Sequence, residues 1–232
     1  MISHFQSLLI PKISTDRFIQ ACRVHGTTVT STIPVVIARA LMQTLSKHFT
    51  KVECTMPVNI RRWLPSPIHE DAMGTWIDAF SQYYRRENLE QFWDEARRSK
   101  ENIAGYLRRQ SINVAKFKDI PDMKQYFLSK IGLERSSSFD VSNLGGVGVE
   151  GTYAKSNLDQ SRMQNEGWKS ARMVFSRSAF VQGSAFSCGL ITGRDGCLNL
   201  GFAWQEGVIE RDLLDSVLER IKSTFEVLLP SL

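Results

Sequence analysis

Residues 22–41 read Cys22-Arg-Val-His-Gly-Thr-Thr-Val-Thr-Ser-Thr-Ile-Pro-Val-Val-Ile-Ala-Arg-Ala-Leu41: the end of one helix, a break, and the start of another. Upstream, Phe18, Ile19 and Cys22 share a helical face, Thr15 is the expected N-cap and Gly26 the stop. Downstream, Ile33, Ile37, Leu41 and Leu45 recur every fourth residue, with Val36 and Ala40 widening the stripe. That spacing predicts a helix from about Thr30 to His48, in which Pro34 fits near the first turn or else kinks it.

Working outward, His4–Ile10 reads as a strand closed by Pro11. Val52–Val58 is a second strand, followed by a turn at Pro65 and Pro67, and Gly74–Tyr84 a third, rich in large side chains. Asn88 and Gln91 resemble a capping box opening the longest helix, to about Arg109. A short helix is expected near Met123–Ile131, then a strand over Phe139–Leu144 and a polar surface loop over Gly151–Lys169. Ala171–Phe180, Ser184–Thr192 and Cys197–Trp204 all read as strands, the last two joined by the Arg194-Asp195-Gly196 turn. Glu210–Leu228 closes as an amphipathic helix. The order β-α-α-β-β-α-α-β-β-β-β-α predicts an α/β chain of the α+β type, a mixed sheet packed by helices on one main face, in one domain over 1–232.

The bulk numbers bound the function. The 232 residues, 42% hydrophobic, suffice for one full core. The net charge of +5 comes from dispersed Arg pairs rather than a patch, and no stacking platform accompanies it, so nucleic-acid binding is not expected. The four cysteines form no C-x-x-C pair and no zinc-spaced cluster, so no metal is expected. They sit in apolar stretches, as free thiols in a reducing compartment do. Met1-Ile-Ser-His-Phe5 lacks a basic signal-peptide start, and no run of about 18 apolar residues would span a membrane. A cytoplasmic chain without membrane contact is the expectation.

Several strings, in order, resemble the second lobe of the chloramphenicol-acetyltransferase-like superfamily, which includes peptide-synthetase condensation domains, plant acyltransferases and fungal alcohol acetyltransferases. The 22–41 stretch is similar to the helix-Gly-Thr-helix passage opening that lobe. Pro57-Val-Asn-Ile-Arg-Arg-Trp-Leu-Pro65 resembles its strand ending in Asn-x-Arg and a proline, and Met73-Gly74 the opening of the next strand. Ser142-Asn143-Leu144-Gly145 resembles the strand end lining the acyl channel, and Gly196–Trp204 the last hairpin strand. The resemblance covers essentially the whole chain. It implies a CoA-dependent acyltransferase fold whose general base, the second His of H-H-x-x-x-D, belongs to the other lobe. This chain has four histidines and none in such a motif. A complete member is roughly twice this length.

No local group replaces that base convincingly. His69-Glu70-Asp71 is the tempting cluster, but adjacent side chains diverge and the segment reads as a solvated turn. His25 and His48 suit helix C-termini, and His4 a strand. No G-x-S-x-G elbow occurs, and Gly145-Gly146-Val147-Gly148 lacks the G-K-[ST] of a phosphate loop.

Three functions follow. The first is a repurposed half. It binds a hydrophobic small molecule of specialised metabolism, without a cofactor, and promotes a ring-forming, cyclase- or pericyclase-type step by positioning and hydrogen bonding. Its expected substrate-binding residues are Ser142, Asn143, Ser176, Ser187, Trp204 and Gln205; the catalytic residues stay open. A homodimer could rebuild a channel by two-fold symmetry. The second is half of an O- or N-acetyltransferase that uses CoA or acetyl-CoA with a separate N-terminal lobe. The third is a non-catalytic carrier or interaction module.

Overall fold

The computed structural model describes residues 2–64, 66, 68–69, 72–109, 118–147, 171–179 and 182–227. Six strands form a single mixed sheet in the order β1-β6-β5-β4-β2-β3, where β1 is Ser3–Ile10, β2 Lys51–Asn59, β3 Ile77–Arg85, β4 Ser137–Gly146, β5 Ser184–Thr192 and β6 Leu198–Gln205. The central strands β2, β4 and β5 run parallel, and antiparallel partners flank them on both sides. The helices are α1 (Lys12–Val24), α2 (Val29–Thr44), α3 (Phe92–Arg108), α4 (Met123–Leu128) and α5 (Arg211–Val227).

Strand alternation divides the sheet into two unlike faces. One carries Val52, Cys54, Met56, Phe139, Val141, Phe186, Cys188, Leu190, Leu200, Phe202 and Trp204, which merge into one core with Ile33 and Ile37 of α2 and with Val217 and Ile221 of α5. Phe139 and Phe186 stack at its centre, ring centroids 5.7 Å apart. The other face, to which no core helix of the described residues packs, carries Phe5, Thr55, Asp140, Ser142, Ser187, Gly189, Asn199, Gly201 and Gln205. We call it the open face.

α2 is the hub, and a buried hydroxyl cluster sets its start. Thr28 is its N-cap, in a reciprocal capping box with Ser31. Thr27 Oγ1 lies 2.7 Å from Ser31 Oγ and 3.1 Å from Thr32 Oγ1, and donates to the Ala96 carbonyl of α3 at 3.2 Å. Thr27→Val keeps the shape and strands these partners in a dry site, so chemical denaturation should show a loss of about 1–3 kcal/mol. A neutral result would show that water reaches the cluster. Pro34 lies inside α2, past the first turn, and the helix continues through it to Thr44, four residues short of the expected end. The C-terminal carbonyls there are collected by the guanidinium of Arg86, which donates to Met42, Leu45 (3.3 Å), Ser46 (3.0 Å) and Phe49 (2.9 Å).

Other local expectations are corrected. Thr15 is not a cap: α1 begins at Lys12 behind Pro11, and Thr15 is buried, donating to the Ile10 carbonyl and accepting from Leu198 N–H at 3.1 Å. It ties α1 to the β1–β6 ladder. Asn88 does not open α3, because a 3-10 turn over Arg86–Glu90 intervenes and Gln91 caps without a side-chain bond. The third strand starts at Ile77, after Gly74. Ala171–Phe180 is not a strand: residues 171–179 join no ladder. They run extended across the open face instead, with Met173, Phe175, Arg177 and Ala179 less exposed than their neighbours. We refer to them as the strap. The turn at Pro65 and Pro67, Glu70–Asp71, Gly148, the 151–169 loop and the ends of two elements at Phe180 and Leu228 lie outside the described residues.

Candidate functional site

The parallel strands end beside the start of α2, and β4 contributes Ser142 and Asn143 there. Asn143 points to the helix side. Its Nδ2 donates to Thr30 Oγ1 at 2.9 Å, and its Oδ1 accepts from Gly145 N–H at 2.8 Å. The amide thus shapes the strand end, where Gly145 takes φ +78° and the β4–β5 register shifts, and braces it against the first turn of α2. Ser142 points to the open face, opposite Gly189 and half-buried.

The other expected binding residues divide between the faces. Ser187, on the open face, donates to the Ala203 carbonyl at 3.4 Å and is buried. Gln205 is also on the open face, and its Oε1 accepts from Arg135 at 2.8 Å. Ser176 is exposed on the strap. Trp204 lies on the helix side, buried, stacked on His4 at 5.3 Å. So Ser142, Ser187 and Gln205 share a face, with Ser176 above it, while Asn143 and Trp204 belong to the core side.

Sequence reasoning missed the most heavily engaged group of the open face, Asp140. It is 7% exposed, accepts from Ser184 Oγ and pairs with Arg177 of the strap. Burial lifts its carboxyl above the usual range, and Arg177 and Ser184 offset only part of that lift. A carboxylate between Phe139 and Val141 of β4 was the available signal.

Three of the four thiols, Cys22, Cys54 and Cys188, are buried, which disfavours the thiolate. Burial pushes Cys22 up to about 11, and Cys54 and Cys188 well above an ordinary thiol. His25 stacks on Trp93 at 4.1 Å at the end of α1, and His4 lies 3.8 Å from Glu206, so both have structural partners away from Ser142. Among the described residues no His/Cys/Asp/Glu group could hold a metal, and no helix is long and apolar enough to cross a membrane. A shallow groove of about 360 Å³ opens at the opposite end of β4, lined by Lys51, Glu53, Tyr83, Arg135 and the Ser136–Ser138 run.

No family model matches the chain. It is 32% identical over 239 residues to the probable alcohol acetyltransferase crmB of Aspergillus fumigatus, an alignment covering 97% of this chain and 50% of that protein. It spans about half the length of the curated relative it matches. Among solved structures, the cyclization-docking bidomain of the EpoB peptide synthetase from Sorangium cellulosum superposes with a TM-score of 0.65 at 16% identity, over 100% of this chain and 42% of that one. The PapA2 acyl transferase gives 0.61 at 12% identity, over 99% and 46%. The epimerization domain of tyrocidine synthetase TycB3 gives 0.61 at 11%, over 98% and 48%. The sheet order, the core helices α1, α2, α3 and α5 gathered on one face and these half-length superpositions agree: the chain has the fold of a single lobe of the chloramphenicol-acetyltransferase-like superfamily.

Proposed function

We propose that the chain supplies one wall of an acyl-transfer site, the general base coming from a second lobe outside residues 1–232. The observation that carries this is the 32% identity to a probable alcohol acetyltransferase over nearly the whole chain and half of that protein. The chemistry is transfer from a CoA thioester such as acetyl-CoA to an alcohol. The base takes the hydroxyl proton, the oxygen attacks the thioester carbonyl, and the CoA thiolate leaves. The Ser142 hydroxyl is the wall's hydrogen-bonding group, and Asn143 positions it by fixing the end of β4 on α2. Four free cysteines suit a reducing compartment, and we assign the chain to the cytoplasm.

The test is reconstitution. The chain alone should transfer no acetyl group, and adding a separately expressed first lobe with an intact H-H-x-x-x-D motif should restore turnover. A folded pair that stays inactive toward a panel of alcohols would sink the reading. In that pair Asn143→Ala should lower kcat about tenfold with the KM for acetyl-CoA little changed, as expected of a positioning residue. Unchanged kinetics would remove Asn143 from the site.

A second reading is favoured by the strap. The open face is covered by the chain's own residues, which suits a half that works alone on a hydrophobic small molecule, with a ring-forming step and a homodimer as its form. Solution mass and an acetyl-CoA titration followed by tryptophan fluorescence separate the two. A dimer blind to acetyl-CoA supports the lone half, and an acetyl-CoA-binding monomer supports the acyltransferase lobe.

A further inference from the structure

Gly189 and Gly201 face each other across β5 and β6 on the open face, leaving bare backbone there. Phe175 of the strap occupies this floor. A Cβ on Gly189 would fall 2.6 Å from its ring and 2.9 Å from its carbonyl oxygen, and a Cβ on Gly201 would come closer still to that oxygen. Phe5 of β1 forms a side wall, 2.9 Å from where the Gly201 Cβ would be. Side chains are missing from the floor where an aromatic ring lies.

The strap is held loosely for so close an approach. Its alternation is that of a strand, yet it joins no ladder. The backbone bond recorded for it among the described residues is Asp195 N–H to the Ala171 carbonyl, at 3.3 Å. Side-chain anchors lie near the ends: Arg172 with Asp195 (3.4 Å) and Arg177 with Asp140.

Asn199 makes the floor more than a resting place. It stands on the same face as Gly201, two residues along β6, opposite Ile191. The strap crosses this span, since Ala171 and Met173 approach Gly193 while Phe175 covers Gly189. Asn199 is 2% exposed, and its Oδ1 is buried without a hydrogen-bond partner among the described residues. An orphaned buried acceptor is costly, and native chains seldom keep one without use.

We propose that Gly189, Gly201 and Asn199 form a ligand slot that Phe175 fills in the free chain, and that it takes a flat apolar molecule bearing one hydrogen-bond donor. The ligand's ring replaces that of Phe175 on the glycine floor beside Phe5, its donor reaches Asn199 Oδ1, and the strap lifts between its anchors. This assignment does not depend on acyl transfer and holds for either reading of the function.

Indole and benzofuran are the probes, nearly the same shape with and without an N–H. In Phe175→Ala, calorimetric titration should show indole binding about tenfold tighter than benzofuran, the worth of one bond to an otherwise unpaired buried acceptor. Asn199→Leu in that background should abolish the preference, and Gly189→Ala should weaken both probes. Equal binding of the two, or a preference that survives Asn199→Leu, overturns the proposal. The unmodified chain gives a second readout should Phe175→Ala fail to fold. Indole, but not benzofuran at the same concentration, should speed thermolysin cleavage at Phe175, between the two anchors. Cleavage indifferent to indole overturns it equally.

Discussion

Replacing Arg86 by leucine should destabilise the chain by about 2–4 kcal/mol, because charge-assisted bonds to four carbonyls are lost together. The carbonyls of Met42, Leu45, Ser46 and Phe49 mark the end of α2 and the loop leaving it, and the guanidinium stands where the helix dipole is negative. Ordinary C-terminal devices are lacking: no glycine follows Thr44, and Leu45 is in extended conformation. Arg86 is also fixed by its own N–H to the Thr50 carbonyl at 2.9 Å, so the fork needs little ordering. Water replaces some bonds at the exposed positions, which keeps the estimate below a plain sum. Arg86→Lys retains charge without the fork and should recover less than half of the loss. Urea midpoints decide the matter, and a change within about 0.5 kcal/mol would mean the cap is ornamental.

Arg177→Leu is expected to cost about 3 kcal/mol near neutral pH and much less in acid. The sign follows from Asp140. Its carboxyl titrates above the ordinary range in the folded chain, so the fold binds that proton more tightly than the unfolded chain does. A group raised in this way contributes stability that is fully present below its unfolded pKa and is lost as pH rises through the folded one. Arg177 limits the rise most, through its charge and its hydrogen bond, with Ser184 adding a second hydrogen bond. Without it the carboxyl is lifted further and the penalty grows over a wider span toward neutrality, until lifting the strap to admit water becomes cheaper. Denaturation in acid and near neutrality should show the variant's deficit widening with pH, because the Asp140 carboxyl titrates above its ordinary range. A deficit equal at both would mean that Asp140 is hydrated in the variant. Adding Asp140→Asn should remove most of the pH dependence.

Much of the framework is legible in the sequence because burial on one side imposes a period. Ser184–Thr192 has the expected bounds, and β1, β2, β6 and α5 agree within a residue or two at each end, while α3 agrees at its C-terminus only. The failures have physical causes. The 171–179 segment alternates like a strand because one side of it faces a sheet, but it lies on that sheet face-on rather than edge-on, and alternation is blind to the difference. Thr15 looks like a cap because its hydroxyl does bond backbone, yet its partners are Ile10 and Leu198, the latter far along the chain. Ser142 and Asn143 are adjacent in one motif, and pleating sends them to opposite faces. Asp140, Gly189, Gly201 and Asn199 act through neighbours brought together by register, which no local pattern encodes.

The sheet order also governs how the chain is made. Among the described residues β1 pairs only with β6, Ser3 with Gln205 and Ile10 with Leu198, and β4 enters between two strands at distant positions in the chain. During synthesis β1 is therefore the earliest of these six strands to emerge, and it pairs only once β6, the latest, has followed. Until Leu198–Gln205 emerges, β1 and β5 each present an open, apolar edge of the kind that recruits other chains. A premature stop before residue 198 leaves both edges bare for good, and chains ending there should be far more aggregation-prone than chains that continue through β6 and α5.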